Sequence, residues 1–135
     1  MIKKNIFILY YKIKMIQDYI KFIFILIAID SIWLFGNYES HKLQFESIQK
    51  SPLQVDKLAG ILFYVVAAIS YFKFIKPQSL TKEDSFKNGA LMGFLLYSSF
   101  DLTNKAVFTN YKWDYAIKDI LWGSFSIGLA SYFMF

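Results

Sequence analysis

The chain has 135 residues, enough for one domain, and 56% of them are hydrophobic and 21% aromatic, an apolar share above that of ordinary soluble domains of this length. Its net charge of +5 comes from fifteen lysines with no arginine, gathered at the ends of apolar segments, which fits lipid phosphate headgroups and argues against a nucleic-acid partner. The absence of cysteine excludes disulfides, thiolate metal sites and a cysteine nucleophile.

Four apolar segments follow one another, each near the roughly 20 residues that a helix needs to cross a bilayer. The first, residues 19–35, reads "YIKFIFILIAIDSIWLF" and follows an apolar and basic lead-in over residues 1–18. It resembles the core of a signal peptide, but Asp30 and Trp33 inside it and the lack of a small-residue cleavage pattern predict that it is retained. The second covers residues 58–74, the third 88–108 and the fourth 115–135. None alternates polar with apolar as a barrel wall does, so the expected fold class is all-α, a single four-helix transmembrane bundle. The connections, including the polar stretch Gly36–Lys57, are expected to be loops without structure of their own.

Nine lysines flank the first segment's start and the second connection, against six on the other side, which predicts that both termini are cytoplasmic. With that orientation Asp30, Asp101 and Asp119 all fall in the outer half of the membrane, where they can share one site. The third segment presents Gly89, Gly93, Tyr97, Asp101 and Lys105 every four residues, a stripe that drifts slowly around a helix, with Asn104 beside it. "GALMG" is a small-xxx-small pattern that lets a second helix approach closely, so Gly89 and Gly93 are expected to pack helices.

"DSIW" at Asp30–Trp33 and "DILW" at Asp119–Trp122 repeat an acid and an indole three apart, and Gly123 continues that face with small residues. These features predict that the first, third and fourth helices close on one another, with the second more peripheral. Bland roles stand beside the functional ones. Asp119 adjoins Lys118 and is placed to reach headgroups, and Asp101 has Lys105 one turn away as an ion-pair partner. Asp30 has no lysine within a turn on its own helix and so needs a partner from another. Trp33 and Trp122 suit an interface belt, and His41, alone in a polar stretch, reads as solvated surface. No residue pattern indicates zinc or another metal, no cofactor is implied, and Ser98 and Ser99 have no histidine base nearby.

Taken together, "DSIWL", "LFY" (Leu62–Tyr64), "GALMGFLLYSSFDLTNKA" (Gly89–Ala106) and "DILWG" (Asp119–Gly123) resemble the uncharacterised integral-membrane family catalogued as domain of unknown function 2177. The resemblance covers Ile25–Phe135. It implies a four-helix membrane protein and marks Asp30, Trp33, Tyr97, Asp101, Thr103, Asn104, Asp119, Trp122 and Gly123 as shared positions, without implying an activity. Lys105 departs from the pattern, standing where an apolar residue is expected.

The functional expectation is therefore a multi-pass protein of the lipid bilayer. Asp30, Tyr97, Asp101, Asn104 and Asp119 form its polar intramembrane cluster, supported by Trp33, Thr103, Lys105, Trp122 and Gly123. The cluster would bind a proton, a cation or a small polar molecule for a permeation step. Lipid binding or modification, with two carboxylates as acid and base, is one alternative, although the chain lacks the side chains of an obvious enzyme. A structural subunit is the other, and a small bundle of this kind invites a homo-oligomer or a membrane partner.

Overall fold

The structure, a computed structural model, describes residues 2–135, with side chains from Ile6 onward. Lys3 and Lys4, two of the lysines counted above, lie outside the described side chains. Among the described residues the fold is all-helical: α1 (Ile2–Gly36), α2 (Tyr38–Gln49), α3 (Lys57–Ser70), α4 (Lys82–Val107) and α5 (Trp113–Met134). α3 runs on through a π turn, Tyr71–Ile75, and a 3-10 turn, Lys76–Gln78, which contains Pro77.

Two features differ from the sequence expectation. The lead-in is no separate segment, because no proline or glycine interrupts residues 2–35 and the helix continues through them, giving α1 a length of about 52 Å at 1.5 Å per residue. The polar connection after it contains a fifth helix, α2, closed by Lys50 in the left-handed region (φ 58°).

Two helical stretches are long and apolar enough to cross a membrane, Ile6–Gly36 and Lys57–Gln78, with mean hydropathies of 1.9 and 2.0. Only 17% and 28% of their most apolar parts are buried, so both turn most of their apolar surface outward. Their outward faces carry Phe24, Ile27, Ile32, Ile61, Leu62 and Val66, a continuous apolar surface that water would penalise and hydrocarbon would not. α4 carries more charged and small polar residues, and α5 more serines and glycines.

The helix ends are set by local chemistry. Asp56 caps α3 by accepting from the Leu58 and Ala59 amides, and Thr81 and Asp84 form a reciprocal capping box at the start of α4. α5 is the central element, packed along its length against α4 and, on another side, against α1; α3 lies behind α1. Phe22, Leu26 and Ile29 of α1 meet Ala67, Ala68, Tyr71 and Ile75 in the apolar core, with Phe22 stacked on Tyr71. α3 is thus part of that core, and α1 and α4 meet chiefly through α5 rather than closing directly on one another.

The α4–α5 contact is built from small residues. A side-chain carbon at Gly89 would collide with Ser131 and the Ile127 carbonyl, and one at Gly93 with the Gly123 backbone. Two hydroxyls then cross the interface, Ser85 donating to the Ser131 carbonyl at 2.9 Å and Ser124 to the Ala90 carbonyl at 2.9 Å. Such close approach brings the two backbones into van der Waals contact along the interface.

Substituting Gly93→Val should therefore lower the thermal midpoint in detergent, by the equivalent of about 1–3 kcal/mol for an overpacked contact. Gly60→Ala, at a helical glycine with open space around it, should leave the midpoint unchanged or raise it slightly. Circular dichroism melts of the two variants check this, and equal destabilisation would refute the packing assignment.

Candidate functional site

At the end of α1 and the start of α5 the two acid–indole pairs exchange partners. The Trp33 indole N–H donates to Asp119 Oδ1 at 3.1 Å, and the Trp122 N–H donates to Asp30 Oδ1 at 3.0 Å. The two indoles stack between these bonds with centroids 5.4 Å apart and planes inclined by 10°. Because the helices are antiparallel, the same three-residue spacing on each brings acid against indole twice, in a local two-fold arrangement. Asp30 and Asp119 are buried, and each finds on the opposite helix the donor that its own helix does not supply.

Around this clasp stand the other polar groups. Tyr64 of α3 and Ser126 of α5 reach towards the Asp30 carboxylate. Tyr97 of α4 lies against Gly123, where any side-chain carbon would strike its ring, so the glycine is what admits the tyrosine to the acids. Asp119 is within electrostatic reach of Asp30 on one side and of Asp101 on the other, and so links the two.

Asp101 is completely buried; one carboxylate oxygen accepts the Tyr111 hydroxyl, and the other, Oδ2, has no hydrogen-bond partner. The Ser98 hydroxyl, one turn earlier on α4, is also buried without a partner. Lys105 is not the partner of Asp101. Its ammonium donates to the Tyr111 carbonyl at 2.7 Å and lies over the Trp113 ring, so it holds the α4–α5 turn that presents Tyr111. Asn104 is half-buried and gives its carbonyl to the end of α4, while Thr103 is exposed and takes no part in the cluster. Asp119 turns inward to Trp33, whereas its neighbour Lys118 is exposed.

The sequence expectation missed the cap over this cluster. His41 is buried rather than solvated, with Nδ1 2.7 Å from the Tyr115 hydroxyl and its ring edge-on to Trp33. From the same helix Gln44 donates to the Asn110 carbonyl at 3.0 Å and accepts from the Lys112 amide at 3.2 Å, clasping the α4–α5 turn. Phe45 and Ile48 pack on Tyr111, Tyr115 and Ala116 beneath. His41, Gln44, Phe45 and Ile48 follow helical spacing, and that pattern in "HKLQFESI" was the available signal for α2.

Two predictions follow the geometry. In double-mutant cycles, Trp122→Phe should couple with Asp30→Asn, and Trp33→Phe with Asp119→Asn, by about 1 kcal/mol, while same-helix pairs couple less. Coupling confined to the same-helix pairs would contradict the exchanged bonds. Burial also pushes the His41 imidazole below its usual value. The unfolded histidine therefore protonates more readily than the folded one. The cap is at full strength above pH about 6.5, and it weakens as the pH falls through that value. Hydrogen exchange of the α2 amides should accelerate between pH 7.5 and 5.5 beyond the intrinsic change, and His41→Asn should abolish that pH dependence.

Among the described residues, no group of three histidine, cysteine or acidic side chains is arranged to hold a metal ion. No curated protein and no solved structure matches the chain. A family model described as "Predicted membrane protein (DUF2177)" matches residues 15–135, which takes in the exchanged acids and indoles, the glycine contacts, α2 and the α4–α5 turn. The chain belongs to this family of predicted membrane proteins of unknown function.

Proposed function

We propose that the acid cluster is a proton-binding site serving a permeation or exchange step across the membrane. α1, α3, α4 and α5 cross the bilayer, α2 covers the cluster from the outer surface, and both termini face the cytoplasm. The observation that carries this reading is Asp101: a fully buried carboxylate with one oxygen held by Tyr111 and the other free of any partner. Ionisable groups facing a protein interior at membrane depth are costly, and proton relays are among the functions that retain them.

The donors around the cluster favour a proton over a metal ion. Indole N–H and phenol O–H groups already occupy an oxygen of Asp30, Asp101 and Asp119, oxygens that a hard cation would otherwise take as ligands. Hydroxyls lead outward from Asp101 through Tyr111, whose ring meets Tyr115 edge-on, and from Tyr115 to His41 beneath α2. Small movements of these side chains would join them into a path for protons. Asp101 is the exchanging group, Tyr111 its gatekeeper, and Asp30 and Asp119 hold the helices in register around it.

Purified protein in liposomes should dissipate an imposed proton gradient faster than empty liposomes, as read by an internal pH dye. Asp101→Asn should remove that activity while retaining the helical circular dichroism of the wild type. Tyr111→Phe should slow the flux several-fold or more, in the range by which a positioned proton-transfer group accelerates transfer. Absence of flux from folded wild-type protein, or equal flux after Asp101→Asn, would overturn the proposal.

A further inference from the structure

Outside the clasp, on the face of α1 and α5 that looks away from α4, lies a groove of about 460 Å³ lined by Trp33, Asn37, Lys118, Leu121, Trp122 and Phe125. Its floor is the stacked indole pair, whose N–H edges are turned inward to Asp119 and Asp30. Its α5 wall, Lys118, Leu121, Trp122 and Phe125, follows helical spacing on one face. The cationic group stands at the mouth and the apolar groups follow over about 10 Å towards the middle of the helix. Asn37, at the same end of α1, adds an amide whose nitrogen already donates to the Trp33 carbonyl at 3.2 Å and has a second hydrogen to offer.

We infer that this groove is a binding site for an anionic phospholipid of the surrounding bilayer, with the phosphate at Lys118 and Asn37 and an acyl chain along Trp122, Leu121 and Phe125. Charge complementarity decides the head: Lys118 is exposed, and its neighbour Asp119 is turned inward to Trp33 rather than towards it. The progression of the wall from ammonium to indole to phenyl decides the tail, since it follows the polarity gradient of a lipid entering the hydrocarbon. Leu121 and Phe125 are 64% and 45% exposed, leaving apolar surface for an acyl chain to cover. The occupant lies against the outer faces of the indoles whose inner edges hold the acids, so lipid identity has a direct mechanical route to the cluster. The inference does not depend on the proton-binding reading, because it concerns the outer surface of the clasp.

Quenching of indole fluorescence by brominated lipid tests it. The chain has three tryptophans, and Trp113→Phe, at an exposed position, leaves Trp33 and Trp122 as reporters. The variant is reconstituted in phosphatidylcholine vesicles containing an equal mole fraction of either brominated phosphatidylglycerol or brominated phosphatidylcholine. The expected result is preferential quenching by the anionic lipid, corresponding to a local enrichment on the order of fivefold for one well-placed lysine. Lys118→Gln should remove the preference. Lys112→Gln, an exposed lysine that does not line the groove, should retain it. Equal quenching by the two lipids, a preference that survives Lys118→Gln, or one lost equally in Lys112→Gln would overturn the site. Relief of the preference by inorganic phosphate would replace the lipid with a free anion.

Discussion

The exchange of acid and indole between α1 and α5 is the constraint on which the rest of the structure depends. A buried carboxylate must be supplied with donors, and along its own helix each of these acids has only an indole whose N–H points elsewhere. Each helix therefore completes the other. Sliding α1 along α5 by one turn, about 5.4 Å, would break both hydrogen bonds and unstack the rings, so the exchange fixes the register of the two helices. α5 becomes the fixed central element, and α4 and α2 are positioned from it. The glycines and serines bring α4 against its other side, Gly123 admits Tyr97, and the turn at Tyr111 holds α2.

This arrangement inverts the distribution familiar from water-soluble domains. Ser85, Asp101, Ser126 and Ser131 are fully buried, while phenylalanines, leucines and isoleucines cover the outer faces of α1 and α3. In water the exposed apolar surface would drive association, and buried polar groups beside the apolar core would need internal partners. In hydrocarbon the balance changes. Apolar groups gain little by leaving lipid, so helices associate through close backbone contact and through hydrogen bonds that lipid cannot supply. α5 carries a close-packed seam of small residues against α4 on one side and the exchanged bonds with α1 on another.

Much of this was legible in the sequence because it rests on periodicity. The four apolar segments, the four-residue stripe from Gly89 to Asp101 and the paired D-x-x-W spacing all fix which side chains share a helical face. Spacing within a helix does not say which helix answers it, so the indoles could be placed beside the acids but not assigned to the opposite ones. Lys105 shows the same limit. One turn from Asp101, it nonetheless reaches a carbonyl six residues on, because the chain turns back at Tyr111 and brings that carbonyl within its reach. α2 was missed for another reason. Its composition is polar, and its fixed position comes from Gln44 and His41 meeting backbone and hydroxyl groups some seventy residues away, which no local pattern records. Thr103, in contrast, is set aside by geometry alone, two residues and about 200° around the helix from Asp101.

The indole pair has two sides, and each meets a different environment. Inward, the N–H groups hold the carboxylates of Asp119 and Asp30, and Asp119 in turn is electrostatically coupled to Asp101. Outward, the ring faces form the floor of the groove below Lys118. His41 touches Trp33 from above through its ring edge, so the cap meets the same pair. A displacement of either indole changes the donor available to a buried acid, and a buried acid that loses its donor must gain a proton or another partner. The acids, the groove and α2 therefore all meet one stack of two rings.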